Sequence, residues 1–156
     1  MKLAVIGGGS SYTPELLDGL FSRRDRIPVT EVVLMDRDRA RLDINAGFAK
    51  RMATRSGAGI AIASTNDMRA AVDGAKYVVT QIRVGQMQAR INDEKLGLKY
   101  GIVGQETTGV GGFACALRTI PRILDVAHTM EELTPDGFLI NFTNPLSPSP
   151  VVNMFS

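Results

Sequence analysis

The sequence predicts an α/β fold of the doubly wound kind, a mainly parallel sheet with helices on both faces. Three observations predict it. Short apolar runs alternate with longer helical patterns along the chain, as in parallel βαβ units joined by right-handed crossovers. The first run, Leu3 to Ile6, is continuous, which fits a strand buried on both faces, and it stops in three glycines, Gly7 to Gly9. The second run, Val32 to Met35, stops at an acid, Asp36.

The elements follow in order. Thr13-Pro14-Glu15 opens the first helix, with Thr13 read as N-cap, Pro14 at the first helical position and Leu16, Leu17 and Leu20 on its apolar side. After the second strand a helix is predicted from about Arg39 to Ser56, ended by Gly57 and Gly59. A weaker strand at Ile60 to Ala63 precedes a short helix from Asp67 to about Val72. The β-branched run Tyr77 to Ile82 makes a fourth strand. A helix around Gln88 to Lys99 leads into a long Gly-rich loop, Gly101 to Gly112. Phe113 to about Leu133 reads as helix, with Pro121 expected to bend or split it. Phe138 to Phe142 is the fifth strand and ends in Thr143-Asn144-Pro145.

Bulk properties bound the function. A chain of 156 residues suits one domain, and 44% hydrophobic content is enough for a packed core. Basic and acidic residues nearly balance, 18 against 16, which speaks against a nucleic-acid partner. A single cysteine, Cys115, excludes an internal disulfide framework and fits a reducing compartment. No apolar run approaches the roughly 18 residues of a membrane span, and the N-terminal run is too short for a signal peptide. A cytoplasmic location is therefore expected. Residues 1–145 form the expected cofactor domain. The tail, 146–156, is expected to be irregular because Pro145, Pro148 and Pro150 crowd its start.

The strongest chemical signal is the turn Gly7-Gly8-Gly9-Ser10-Ser11-Tyr12 between a strand and a helix. Glycines let backbone approach a pyrophosphate closely, and the helix N-terminus beyond offers free N–H groups. Gly7 and Gly9 match the first two glycines of the dinucleotide fingerprint, but Tyr12 stands where the third belongs. Asp36, ending the second strand, is placed to accept hydrogen bonds from the adenosine ribose, or else to cap the next helix. The combination points to a Rossmann-like domain with a dinucleotide on Gly7, Gly9, Ser10, Ser11, Tyr12 and Asp36. An acid at this position favours NAD over NADP, although Arg37 is adjacent. Arg83 follows the fourth strand at the carboxyl edge, where open α/β sheets bind ligands, and is assigned to the cofactor site.

Arg90 lies one helical stretch later, and its planar fork of donors suits a phosphate on a sugar. For both arginines the alternative is an unpartnered surface residue. Glu106 is either a pocket carboxylate or a simple loop acid, and Asn144 either binds sugar hydroxyls or makes an Asn-Pro turn. Cys115 and His128 are the only soft metal ligands, too far apart in one helical region to share an ion, so no metal site is assigned.

Taken jointly, Gly7 to Pro14, Gln81-Ile82-Arg83-Val84-Gly85, Gly104-Gln105-Glu106-Thr107, Gly111-Gly112 and Asn141-Phe142-Thr143-Asn144-Pro145 resemble glycoside hydrolase family 4. The resemblance implies hydrolysis of 6-phospho-β-glucosides, including phosphorylated disaccharides, with NAD and a divalent metal such as Mn²⁺. It implies a route in which C3 of the sugar is oxidised, the C2 proton is removed by a tyrosine, the aglycone is eliminated, water adds and C3 is reduced again. Such NAD-dependent enzymes stand outside the usual two-carboxylate scheme. By the same resemblance Arg90 and Asn144 bind substrate, and Glu106 raises the basicity of the catalytic tyrosine. Family members carry their metal-binding cysteine and histidine, and that tyrosine, beyond the Asn-Pro turn. Cys115 and His128 precede it and do not match. The 156 residues alone are therefore expected to bind cofactor without completing the reaction, and to form homo-oligomers through apolar surface. Two other readings stay open: a 2-hydroxy-acid dehydrogenase of the malate or lactate type, and a non-catalytic NAD-binding module.

Overall fold

The computed structural model describes residues 1–143; Asn144 and the tail through Ser156 lie outside the described residues. Five strands form one parallel sheet in the order β3-β2-β1-β4-β5: β1 (Lys2–Ile6), β2 (Glu31–Met35), β3 (Ala61–Thr65), β4 (Ala75–Thr80) and β5 (Phe138–Asn141). Strand order reverses direction at β1, the switch point beside which open α/β sheets bind their ligands at the carboxyl edge. Register aligns the carboxyl ends: Ile6 lies beside Met35 on one side and Thr80 on the other, and Thr80 beside Asn141. Gly7, Asp36, Gln81 and Phe142 therefore all emerge on one edge.

Five helices connect the strands: α1 (Thr13–Phe21), α2 (Arg39–Ser56), α3 (Met68–Val72), α4 (Gln86–Leu98) and α5 (Gly109–Leu133). Because β1 is apolar and buried from Leu3 to Ile6, both of its faces take part in a core. Leu3 and Val5 pack with Leu17, Leu20 and Phe21 of α1 and Leu42, Ala46 and Ala49 of α2. Ala4 and Ile6 pack on the opposite face with Ala71 and Val72 of α3 and Val126 and Met130 of α5. The doubly wound architecture expected from the alternating runs is the one observed.

Local details differ in ways that tertiary contacts explain. Tyr12, not Thr13, is the N-cap of α1, and it makes no side-chain cap bond; the Thr13 hydroxyl turns inward to Gly8 O at 3.0 Å. The Gly-rich loop is shorter than its composition implies, since α5 already starts at Gly109. α5 also runs through Pro121 without being split. Pro121 lies on the exposed side of the helix, as does Leu117 four residues earlier, so water can take the carbonyl that proline leaves unpaired. Among the described residues no helix is long and apolar enough to cross a membrane.

Candidate functional site

The loop after β1 is built onto the ends of β2 and β4. Gly7 and Gly8 both donate their amides to Met35 O, at 2.9 and 2.7 Å. Gly7 has φ +98°, and a Cβ there would stand 2.5 Å from the backbone oxygen of Gln81. Gly9 donates to Asp36 Oδ2 at 2.9 Å, so close that a Cβ on Gly9 would meet the same oxygen at 2.7 Å. Glycine at these two places is what lets the loop lie against the sheet. Ser11 and Tyr12 are exposed and Ser10 half-buried. Tyr12, 67% exposed, takes no part in the tight helix–strand contact that a third glycine would serve.

Asp36 does not cap α2. That task falls to Asp38, whose Oδ1 accepts from Arg41 N at 3.1 Å. Asp36 instead bridges two loops, receiving Gly9 N on Oδ2 and Asp38 N on Oδ1, each at 2.9 Å. Each carboxylate oxygen keeps a second lone pair for a ligand hydroxyl.

On the far side of the same edge, Arg83, Arg90 and Glu106 meet. Glu106 Oε1 accepts from Arg83 Nη1, and its Oε2 lies 3.1 Å from Arg90 Nη2. Arg90 Nε donates to Glu94 Oε1 at 2.8 Å. The Glu94 hydrogen bond first, and then the charge of Glu106, hold the Arg90 guanidinium above its ordinary pKa. Glu106 is only 17% exposed, whereas Arg83 and Arg90 are 41% and 36% exposed and stay reachable by a solute. Two guanidiniums and two carboxylates balance in charge. The cluster therefore offers the unused N–H donors of its arginines rather than a surplus of positive charge.

Asn141 and Thr143 tie the end of β5 to the end of β4 and to Ile82. Asn141 Oδ1 accepts from Thr80 Oγ1 at 2.7 Å and from Thr143 N at 3.0 Å, and Thr143 Oγ1 receives Ile82 N at 3.2 Å. Asn144 itself lies outside the described residues. Cys115 Sγ faces Thr119 Oγ1 at 3.9 Å, and the exposed His128 contacts Glu131 at 3.1 Å. Among the described residues no group of three or more His, Cys, Asp or Glu converges as a metal-ligand set.

Two features escaped the sequence reading. Gln81 and Thr13 bond to the glycine loop from beneath, and the only signal for them was their position at the end of one element and the start of another. Asp93 and Arg118 form a bidentate pair, at 2.8 and 2.5 Å, that ties α4 to α5. Their separation in sequence left no local signal.

The sequence that builds this edge matches a family model described as Family 4 glycosyl hydrolase, over residues 2–152. The chain belongs to glycosyl hydrolase family 4. It is 50% identical over 147 residues to a probable 6-phospho-beta-glucosidase of Bacillus subtilis, which covers 93% of this chain and 33% of that protein. A maltose-6'-phosphate glucosidase of the same organism is 36% identical over 144 residues, covering 92% of this chain and 32% of its own length. The 6-phospho-beta glucosidase of Thermotoga maritima, solved with manganese, NAD⁺ and glucose-6-phosphate, superposes with a TM-score of 0.87. It is 42% identical, and the match covers 93% of this chain and 35% of that one. The chain thus spans about a third of the length of the curated relatives it matches. Family membership sets the dehydrogenase reading aside.

Proposed function

We propose that this chain is the NAD-binding portion of an NAD- and divalent-metal-dependent glycosidase that hydrolyses 6-phospho-β-glucosides, phosphorylated disaccharides among them. The observation that carries it is Glu106 held between Arg83 and Arg90 on the sheet edge that also bears the glycine loop and Asp36. A dinucleotide fits there: the Ser11 amide has no partner among the described residues, and Asp36 has lone pairs to spare. In this reading Gly7, Gly9, Ser10, Ser11 and Tyr12 border the pyrophosphate, and Asp36 takes the ribose hydroxyls and repels a 2′-phosphate. Arg83 lies between the cofactor and sugar sides, and Arg90 with Asn144 holds the phosphorylated sugar.

Bound NAD would supply a transient hydride acceptor, so that oxidation at C3, elimination, water addition and re-reduction sum to hydrolysis with no net oxidation. The role assigned to Glu106 is to raise the basicity of a tyrosine. No tyrosine bonds to Glu106 among the described residues, so the 156 residues alone are expected to bind without turnover. The described residues supply no metal-ligand set, and no metal step is assigned to them. Preference for the β linkage rests on the higher identity to the β-acting relative, 50% against 36%. Phosphorylated sugars are made and kept inside cells, which supports a cytoplasmic location.

Calorimetric titration of the chain with NAD⁺ and with glucose 6-phosphate, beside an assay on an aryl 6-phospho-β-glucoside with NAD⁺ and Mn²⁺, tests this. Binding of both ligands without release of the aryl alcohol is the expected result. Absence of NAD⁺ binding would overturn the cofactor reading, and hydrolysis by the chain alone would overturn its assignment as incomplete.

A further inference from the structure

The loop departs from the dinucleotide fingerprint at Tyr12, yet it is tightly held. Most of its backbone amides are consumed internally: Gly7 and Gly8 on Met35 O, Gly9 on Asp36, Ser10 on Gly7 O, Tyr12 on Ser10 Oγ and Thr13 on Ser10 O. Ser11 N–H is the loop amide left over. Beside the Ser10 N–H on Gly7 O, a directional chain of side-chain hydrogen bonds holds the carbonyls from beneath the loop. Gln81 Nε2 uses both of its protons, one on Gly7 O at 3.2 Å and one on Thr13 Oγ1 at 2.7 Å. The Thr13 hydroxyl passes its own proton to Gly8 O at 3.0 Å. Thr13 is 1% exposed, and its hydroxyl accepts once and donates once, so it is fully satisfied.

We propose that Gln81 and Thr13 are paired positioning residues for the cofactor loop, replacing the third glycine of the fingerprint as the device that seats α1 on the sheet. The proposal rests on the NAD-binding reading above. Its physical content is electrostatic. A carbonyl oxygen turned toward a pyrophosphate repels it, whereas an N–H or hydroxyl attracts it. Anchoring Gly7 O and Gly8 O from below turns both away from the ligand and leaves Ser11 N–H, on an exposed residue, to face it. Neither Gln81 nor Thr13 touches the ligand in this arrangement; both act through the loop.

The test compares the full 156-residue chain with Gln81→Met, Thr13→Val and Thr13→Ser. Met and Val keep the shape and remove the hydrogen bonds, while Ser keeps the hydroxyl. Two readouts are used: amide exchange of the residue 7–12 loop without cofactor, and NAD⁺ affinity. Gln81→Met and Thr13→Val are expected to speed loop exchange and weaken NAD⁺ by about tenfold, the scale of a hydrogen bond lost at a buried partner. Thr13→Ser should match the parent in both, a rescue that mere loss of packing would not produce. The Gln81→Met/Thr13→Val double variant should lose little more than either single one, because the two bonds form one chain. Should Gln81→Met lose its cooperative melt, the Thr13→Val and Thr13→Ser pair decides alone. Parent-like exchange and affinity in Thr13→Val overturns the proposal. If the parent chain binds no NAD⁺, the cofactor reading falls, while the exchange comparison still decides whether Gln81 and Thr13 hold the loop.

Discussion

A methyl group at Gly9 would stand 2.7 Å from Asp36 Oδ2, a carboxylate oxygen that can yield only by giving up its hydrogen bond to Gly9 N. Either the carboxylate swings away or the loop lifts off β2. Gly9→Ala is accordingly expected to lower NAD⁺ affinity at least about tenfold, while Gly47→Ala, on α2, whose added Cβ meets only the tip of Arg51 at 3.6 Å, leaves it unchanged. Calorimetry on the two variants checks this; equal affinities would show that the Gly9–Asp36 contact does not shape the site. Gly7 is the stronger constraint, combining φ +98° with backbone 2.5 Å from the missing Cβ. Gly7→Ala is expected to cost stability as well as binding, by about 2 kcal/mol on the scale of a strained backbone residue, read from a denaturant melt.

The elements that carry Arg90 and Glu106 are α4 and the loop before α5, and the pair Asp93–Arg118 joins them. Asp93 is 7% exposed and Arg118 31%, so removing the carboxylate strands a guanidinium that water only partly reaches. Asp93→Asn is expected to destabilise the chain by roughly 2 kcal/mol, less than a fully buried pair would lose, and to weaken glucose 6-phosphate binding by shifting Arg90. The hydrogen bond to Asp93, opposed by burial, raises the Arg118 pKa above the ordinary arginine range. A raised folded-state value stabilises fully below the unfolded pKa and is lost only as pH climbs through the folded one. The loss in Asp93→Asn should thus be the same at about pH 6.5 and about pH 8.5, and melts at both values test it. Within α5, Pro121 gives up one helical hydrogen bond at an exposed site. Pro121→Ala is expected to raise stability by about 1 to 3 kcal/mol; a lower melting temperature would mean that the helix needs a bend there.

Among the described residues, apolar side chains remain open in several places, and two of these form regular rows. Phe113, Leu117, Ile120 and Leu124 recur on one face of α5, with exposures of 66, 61, 37 and 44%. Phe138 and Ile140 alternate along β5, on the sheet face whose β1–β3 side is covered by α1 and α2, and Phe142 is exposed just beyond the strand. Tyr77 stacks on Phe138, ring centroids 5.7 Å apart, but does not cover it. Surface of this kind drives association. The chain is expected to show a mass that rises with concentration in light scattering after size exclusion, and Leu117→Lys should reduce the effect. A constant monomer mass would show that these side chains stay solvated.

Sequence alone determined the fold class and the number of strands along the chain, and it singled out the glycine loop proposed to bear a nucleotide. Those features are local: a continuous apolar run, a glycine turn and an acid at a strand end each carry their meaning within a few residues. Arg83, Arg90 and Glu106 were also singled out, but not as neighbours. Only the tertiary structure decided that one carboxylate lies between two guanidiniums, that Asp38 rather than Asp36 caps α2, and that Thr13 turns inward instead of capping α1. It alone brought Gln81 beneath the glycine loop and Asp93 against Arg118. The reason is physical. A hydroxyl, an amide or a carboxylate has several partners it can satisfy within hydrogen-bond reach, and which one it takes depends on where the sheet register and helix packing leave an unpaired group.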